Sequence, residues 1–128
     1  MLFEGCKNLK DISPLKNWNL RNIINLNNTF MDCSSLCDLT PLKNWNVSEC
    51  LSFDACFKNC FSLKDVNPIQ FWNVPKATSF NYLFEGCIEL EDISALSKWK
   101  VSKKATYKNL IKDTKIKNSK VPSWFSNN

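Results

Sequence analysis

Residues Phe30–Val47 read FMDCSSLCDLTPLKNWNV, and Phe57–Val74 read FKNCFSLKDVNPIQFWNV. Laid over one another without a gap, they bring Phe30 onto Phe57, Cys33 onto Cys60, Asp38 onto Asp65, Pro41 onto Pro68 and Trp45 onto Trp72. Outward from this pair the period persists. Phe3, Phe30, Phe57 and Phe84 form one column, and Cys6, Cys33, Cys60 and Cys87 another. Leu9, Leu36, Leu63 and Leu90 make a third, and Trp18, Trp45, Trp72 and Trp99 a fourth. Asp11, Asp38, Asp65 and Asp92 keep step, as do Pro14, Pro41 and Pro68, with Ala95 the exception. PLKNWN is copied outright at Pro14–Asn19 and Pro41–Asn46, and LFEGC at Leu2–Cys6 and Leu83–Cys87.

A fixed period of roughly 20–50 residues marks a stacked repeat unit. Within each copy the apolar residues fall three apart, as in Phe3, Cys6, Leu9, Ile12, Leu15 and Trp18. That is neither the period of about 3.6 of an amphipathic helix nor the period of about 2 of a half-exposed strand. Proline in mid-copy interrupts any pair of helices, and a propeller blade needs about 40 residues. The expectation is an α+β repeat solenoid, leucine-rich-repeat-like, of four 27-residue turns. Each turn would carry one short parallel strand near Leu9–Ile12, a proline corner, and a short helical or 3₁₀ return through about Arg21–Thr29. Residues 1–110 would form the solenoid in repeats 3–29, 30–56, 57–83 and 84–110. Residues 111–128 would form a basic, degenerate turn that caps the end, with Pro122 in phase with Pro14 and with Trp124 and Phe125 over the last core layer.

The pattern F-x-x-C-x-x-L-x-D-[ILV]-x-P-[IL]-x-x-W-N-V, as it stands in Phe30–Val47 and Phe57–Val74, resembles the BspA-like leucine-rich repeats. These occur in surface proteins of bacteria and mycoplasmas, in protozoa and in some large viruses. The resemblance covers about residues 2–110 and implies a curved solenoid with adhesion or protein binding as its task. It brings no catalytic residues.

Composition narrows the chemistry. The chain has 128 residues, 44% hydrophobic and 23% charged, with no His and seven Cys. Without His the usual general base near neutral pH is missing, and no phosphate loop or nucleophile motif is present. No enzymatic activity, cofactor or metal is expected. An odd number of Cys cannot pair fully within one chain, so a reducing compartment or buried thiols are expected. No apolar run is long enough to span a membrane, and Met1–Glu4 does not resemble a signal peptide. The chain as given is expected inside a cell, with surface display open to a form carrying a leader.

The uniform columns read as core: Phe3, Cys6, Leu9, Trp18, Phe30, Cys33, Leu36, Trp45, Phe57, Cys60, Leu63, Trp72, Phe84, Cys87, Leu90 and Trp99. Cys33/Cys37 and Cys56/Cys60 are C-x₃-C pairs, but stacked structural thiols explain the column better than zinc. Cys37, Cys50 and Cys56 are expected to be partly exposed. Each Asp is expected to accept backbone N–H bonds at its own corner, and Asn19, Asn46 and Asn73 to form an amide ladder between turns.

Function is expected where the copies differ. The candidate partner-binding residues are Lys7, Ser34, Phe61 and Ile88 in one column, Lys10, Cys37, Lys64 and Glu91 in a second, and Phe71 and Lys98 in a third. The expected role is a non-enzymatic protein-interaction or adhesion module. The alternative rests on charge: residues 1–97 are net −3, residues 98–128 net +8. Lys103, Lys104, Lys108, Lys112, Lys115, Lys117 and Lys120 would then hold a polyanion, either nucleic acid or acidic lipid. Self-association through the first turn, around Met1–Cys6, is a further possible partner mode.

Overall fold

The computed structural model describes residues 2–125. The chain winds as a stack of coils, one for each copy of the repeat, and the coils are built almost wholly from turns. The expected architecture of strands and helices is wrong. Among the described residues the longest helical segment is the five-residue 3₁₀ run Ser94–Lys98. The only strand-like pairings among them are single parallel bridges, Asn25 to Ser52, Ser52 to Ser79 and Ser79 to Thr106. The two expected elements are also misplaced. Leu9–Ile12 forms no strand, the return carries the bridges, and the 3₁₀ segments sit at the proline corners Ser13–Leu15, Thr40–Leu42 and Asn67–Ile69.

The three-residue spacing has a direct physical meaning. Most inward apolar residues donate their N–H to the carbonyl of the inward residue before, closing a β-turn; the step from Leu9 to Ile12 is the exception. Cys6 donates to Phe3 at 3.0 Å, Leu9 to Cys6 at 3.1 Å, Leu15 to Ile12 at 2.9 Å and Trp18 to Leu15 at 3.1 Å. An N–H spent inside its own turn cannot enter a lateral strand ladder. Turns occupy this half of the coil on both sides of Leu9–Ile12.

On the return half, stacking is by backbone. Leu26, Asn28, Phe30 and Asp32 donate to Ser52, Asp54, Cys56 and Lys58 of the next coil at 2.8–3.0 Å. The set repeats one coil on, from Phe53, Ala55, Phe57 and Asn59 to Ser79, Asn81, Leu83 and Glu85. From Leu26 to Asp32 and at the equivalent places one coil on, the N–H groups thus reach the next coil, whereas at the bridges Leu51, Thr78 and Thr106 donate the other way, to Ile24, Leu51 and Thr78 of the coil before, at 2.7, 3.0 and 2.9 Å. Two columns of left-handed residues maintain this: Asn28, Ala55, Tyr82 and Asn109, and Gly5, Asp32, Asn59, Gly86 and Asp113.

Side chains fill the axis as ring stacks. Phe3, Phe30, Phe57 and Phe84 follow one another at centroid distances of 5.5, 5.6 and 5.9 Å. Trp18, Trp45, Trp72, Trp99 and Trp124 follow at 6.4, 6.4, 6.1 and 6.1 Å, parallel to within 10°. Each indole from Trp45 to Trp124 donates its Nε1–H to a carbonyl of the coil below, at Leu15, Leu42, Ile69 and Leu96 (2.8–2.9 Å). Cys33, Cys60 and Cys87 do the same with Sγ, onto Phe3, Phe30 and Phe57 at 3.0–3.2 Å. No buried side-chain nitrogen or oxygen among the described residues lacks a partner.

The first coil has neighbours on one side only. Phe3 and Leu9 are accordingly half-buried, and Cys6 and Trp18, expected in the core, are exposed. At the other end Trp124 joins the indole stack two positions before the period counted from Trp99 would place it, so the last coil is short. Its 3₁₀ segment is Asn118–Lys120, and Pro122 lies beyond it rather than at a proline corner. Phe125 is buried, edge-on to Tyr107 at 5.2 Å. Ser126–Asn128 and Met1 lie outside the described residues.

Two outcomes follow for stability. Trp72→Ala will destabilise the chain by about 3–5 kcal/mol in denaturant titration, whereas Trp72→Phe, which keeps a ring but drops one hydrogen bond, will cost about 1 kcal/mol from the bond itself. Gly5→Ala, at φ +78° with open space around it, will cost roughly 1–2 kcal/mol. Gly86→Ala will cost more, since its Cβ would collide with the Asn59 Oδ1.

Candidate functional site

Turns place the variable columns outside the core by the same rule that places the uniform ones inside. Between successive inward residues two side chains must point away. Lys7, Lys10, Cys37, Lys64, Glu91 and Lys98 are exposed, and Ser34 is half-buried with its hydroxyl donating to the Lys7 carbonyl at 3.4 Å. Phe61 is 43% exposed, Ile88 47% and Phe71 65%. Phe61 and Ile88 are one period apart and occupy equivalent places on adjoining coils. Phe71 sits under Lys98, whose ammonium lies 4.8 Å from the ring centroid and also donates to Gln70. Beside them a shallow furrow of about 520 Å³ is lined by Lys64, Asp65, Gln70, Asp92 and Lys98 among others.

Asp65 and Asp92 border this furrow, but the Asp column is committed to the backbone. Asp11, Asp38, Asp65 and Asp92 accept the N–H of Ser13, Thr40, Asn67 and Ser94 at 2.8–2.9 Å. For Asp11, Asp38 and Asp92 the Ser or Thr side chain and this N–H hold the carboxyl below its ordinary 3.8. Among the described residues no group of three His, Cys, Asp or Glu comes together around a metal-sized space. The lysines Lys103, Lys104, Lys108, Lys112, Lys115, Lys117 and Lys120 are all exposed.

One expectation for the polar columns needs correction. Asn19 and Asn46 do not bridge coils: each accepts locally, from the N–H of Arg21 at 3.2 Å and of Ser48 at 3.1 Å. The ladder between coils lies elsewhere. Asn27 Oδ1 accepts from Ser52 Oγ and Asp54 N, and Asp54 Oδ1 from Ser79 Oγ and Asn81 N. Asn81 Oδ1 then accepts from Lys108 N. The signal was the recurring Ser-x-Asp/Asn at Ser52–Asp54 and Ser79–Asn81. Nothing in a single copy marked those side chains as acceptors for the next one.

Cys50 and Cys56, expected near the surface, are buried with Cys33, Cys60 and Cys87. Cys50 lies between Val47 and Phe53 on a coil with layers on both sides, and Cys56 directly precedes the Phe57 core column, so the stack closes over both. Burial pushes the Cys33 thiol up to about 11 and that of Cys87 to about 12, and raises those of Cys50, Cys56 and Cys60. Cys6 and Cys37 are exposed.

An alkylating or disulfide-exchange reagent at neutral pH will therefore label Cys6 and Cys37 in the folded chain and all seven Cys after denaturation, which peptide mass mapping will read. Acid will also weaken the fold. Because the Asp carboxyls bind protons less readily folded than unfolded, the stability they add is complete above the unfolded value and fades as pH falls through the lowered one. Urea midpoints at neutral and at acid pH will show this, and a combined Asp38→Asn, Asp92→Asn variant will show a shallower fall.

No curated protein matches the chain. Residues 1–124 match the family described as Mycoplasma protein of unknown function, DUF285. Turns that follow one another every three residues, ring stacks that recur once per coil and an outer surface that changes from copy to copy are thus how this sequence is built, and the chain belongs to the DUF285 family of mycoplasma proteins.

Proposed function

We propose that this chain is a non-enzymatic interaction module whose outer columns read a protein partner. The observation that carries the proposal is the exposure of Phe61, Ile88 and Phe71. Equivalent places in other coils hold Lys7, Ser34, Asn17 and Asn44, so the coil itself does not require an apolar group there. Large exposed aromatic and aliphatic groups at the centre of a polar surface are the usual anchors of a protein interface. Lys64, Glu91 and Lys98 supply a charged border of both signs around them.

Family relationship supports the same reading. The DUF285 family is related to BspA-like repeat proteins, and the Phe/Cys/Leu/Trp pattern of this chain resembles theirs. Adhesion or protein capture is the task such repeats suggest. The uniform columns are engaged in packing and in hydrogen bonds between coils, which leaves the variable ones for recognition.

The test is a paired capture experiment. A Phe61→Ser, Phe71→Ser, Ile88→Ser variant will keep its melting temperature, because surface substitutions of this kind stay within about 0.5 kcal/mol. It will lose at least one protein that the parent chain captures from lysate and holds through a high-salt wash. That protein, purified, will bind the parent directly in calorimetry. An unchanged set of captured proteins would overturn the proposal.

A further inference from the structure

The lysines of the last full coil stand where carboxylates are few: residues 98–128 hold nine Lys and one Asp, residues 1–97 eight Lys/Arg and eleven Asp/Glu. Lower in the stack two cations pair across coils, Lys76 with Glu49 at 2.8 Å and Lys58 with Glu85 at 3.1 Å. Lys115 likewise meets Glu89 at 3.3 Å. Among the described residues, Lys103, Lys104, Lys108 and Lys112 have no carboxylate within ion-pair distance. They lie on one return segment, whose single acid is Asp113. Their charge faces water uncompensated.

Folding adds an aromatic to this strip that the sequence alone does not place there. Tyr82 belongs to the coil below and is half-buried. Its ring has the Lys108 ammonium 6.0 Å from the centroid and the Lys58 ammonium 5.5 Å away. Tyr82 holds a left-handed backbone, φ 61°, which bulky residues rarely adopt. Its column holds Asn28, Ala55 and Asn109 elsewhere, so the coil does not call for a ring at this place. Nor does Tyr82 join either ring stack of the core.

The chemistry of the strip selects among polyanions. Every large exposed apolar side chain among the described residues lies outside 98–125: Leu2, Trp18, Ile23, Ile24, Leu51, Phe61, Phe71 and Ile88. The strip has nothing to insert into a bilayer. An aromatic face bordered by flexible ammonium groups instead matches an unpaired base with its flanking phosphates. There is no Arg in residues 98–128, so phosphates would be met as point charges rather than by a bidentate fork.

We propose that this strip binds single-stranded nucleic acid without sequence preference. Tyr82 stacks a base, while Lys108 and Lys112 hold neighbouring phosphates and Lys103 and Lys104 extend the contact along the coil; Lys58 stays paired with Glu85. The experiment is fluorescence anisotropy of the full chain with a labelled oligothymidylate about 20 nucleotides long, longer than the site of a typical single-strand-binding module, at a series of salt concentrations. Log affinity will fall linearly with log salt, by about 0.7 for each phosphate held. Lys108→Gln with Lys112→Gln will lower that slope by about 1.4. Tyr82→Ala will cut affinity by about 5- to 150-fold, the loss of one base–aromatic stack, with the slope unchanged. Tyr82→Ala folds, since Ala55 already occupies this column at φ 55°, and Tyr82→Phe will retain binding. The Phe61→Ser, Phe71→Ser, Ile88→Ser variant will bind as the parent does, which separates this strip from the protein-binding face. Absence of binding, equal or tighter binding of a duplex of the same length, indifference to Tyr82→Ala, or binding confined to vesicles of anionic phospholipid would each overturn the proposal.

Discussion

The structure depends on how turn carbonyls use their two lone pairs. Phe30 O accepts the N–H of Cys33, three residues on in its own coil, and the Sγ–H of Cys60 from the next coil. Leu42 O likewise accepts Trp45 N and the indole N–H of Trp72. One bond closes the turn and the other fastens the coil above. Because the turns consume most of the backbone donors on this half, much of its stacking comes from side chains that carry a donor. Cys and Trp satisfy that demand while remaining apolar enough for the core, which explains why these columns hold Cys and Trp rather than Ala and Phe.

On the return half the roles reverse. Peptide groups themselves reach the neighbouring coils, and side chains such as Asn27, Asp54 and Asn81 satisfy further N–H groups. The left-handed columns follow from this geometry. Gly86 is tolerated on them because it has no side chain, and Asn28, Asp32 and Asn59 because short polar side chains accept that backbone readily. A coil held this way needs neither strand nor helix. Its order comes from repetition, since each layer presents the next with the same carbonyls, rings and thiols.

That division of labour leaves the outer surface free to vary. Phe61, Ile88 and Phe71 on one side, and Tyr82 with the lysines of the last coil on another, are additions that the coil does not require. They are separate in chemistry, one apolar with mixed charges at its edge, the other cationic with a single ring. Ion pairs between coils, as at Glu49–Lys76 and Lys58–Glu85, balance charge lower in the stack. This balance is missing around Lys103–Lys112, where carboxylates become scarce.

The residues alone determined the period, the core columns and the division between uniform and variable positions, because identical side chains one full period apart must face identical surroundings. They also determined that each Asp turns back on its own corner, since that bond is local to one turn. Whether the three-residue spacing meant strands or turns was not legible. The choice depends on where each N–H finds its acceptor, which a single copy of the repeat does not show. The burial of Cys50 and Cys56, the ladder through Asn27, Asp54 and Asn81, and the meeting of Tyr82 with Lys58 and Lys108 were decided by tertiary structure alone. Each is a contact across coils, between residues that only the stacking brings together, and its geometry exists only once one coil lies on another.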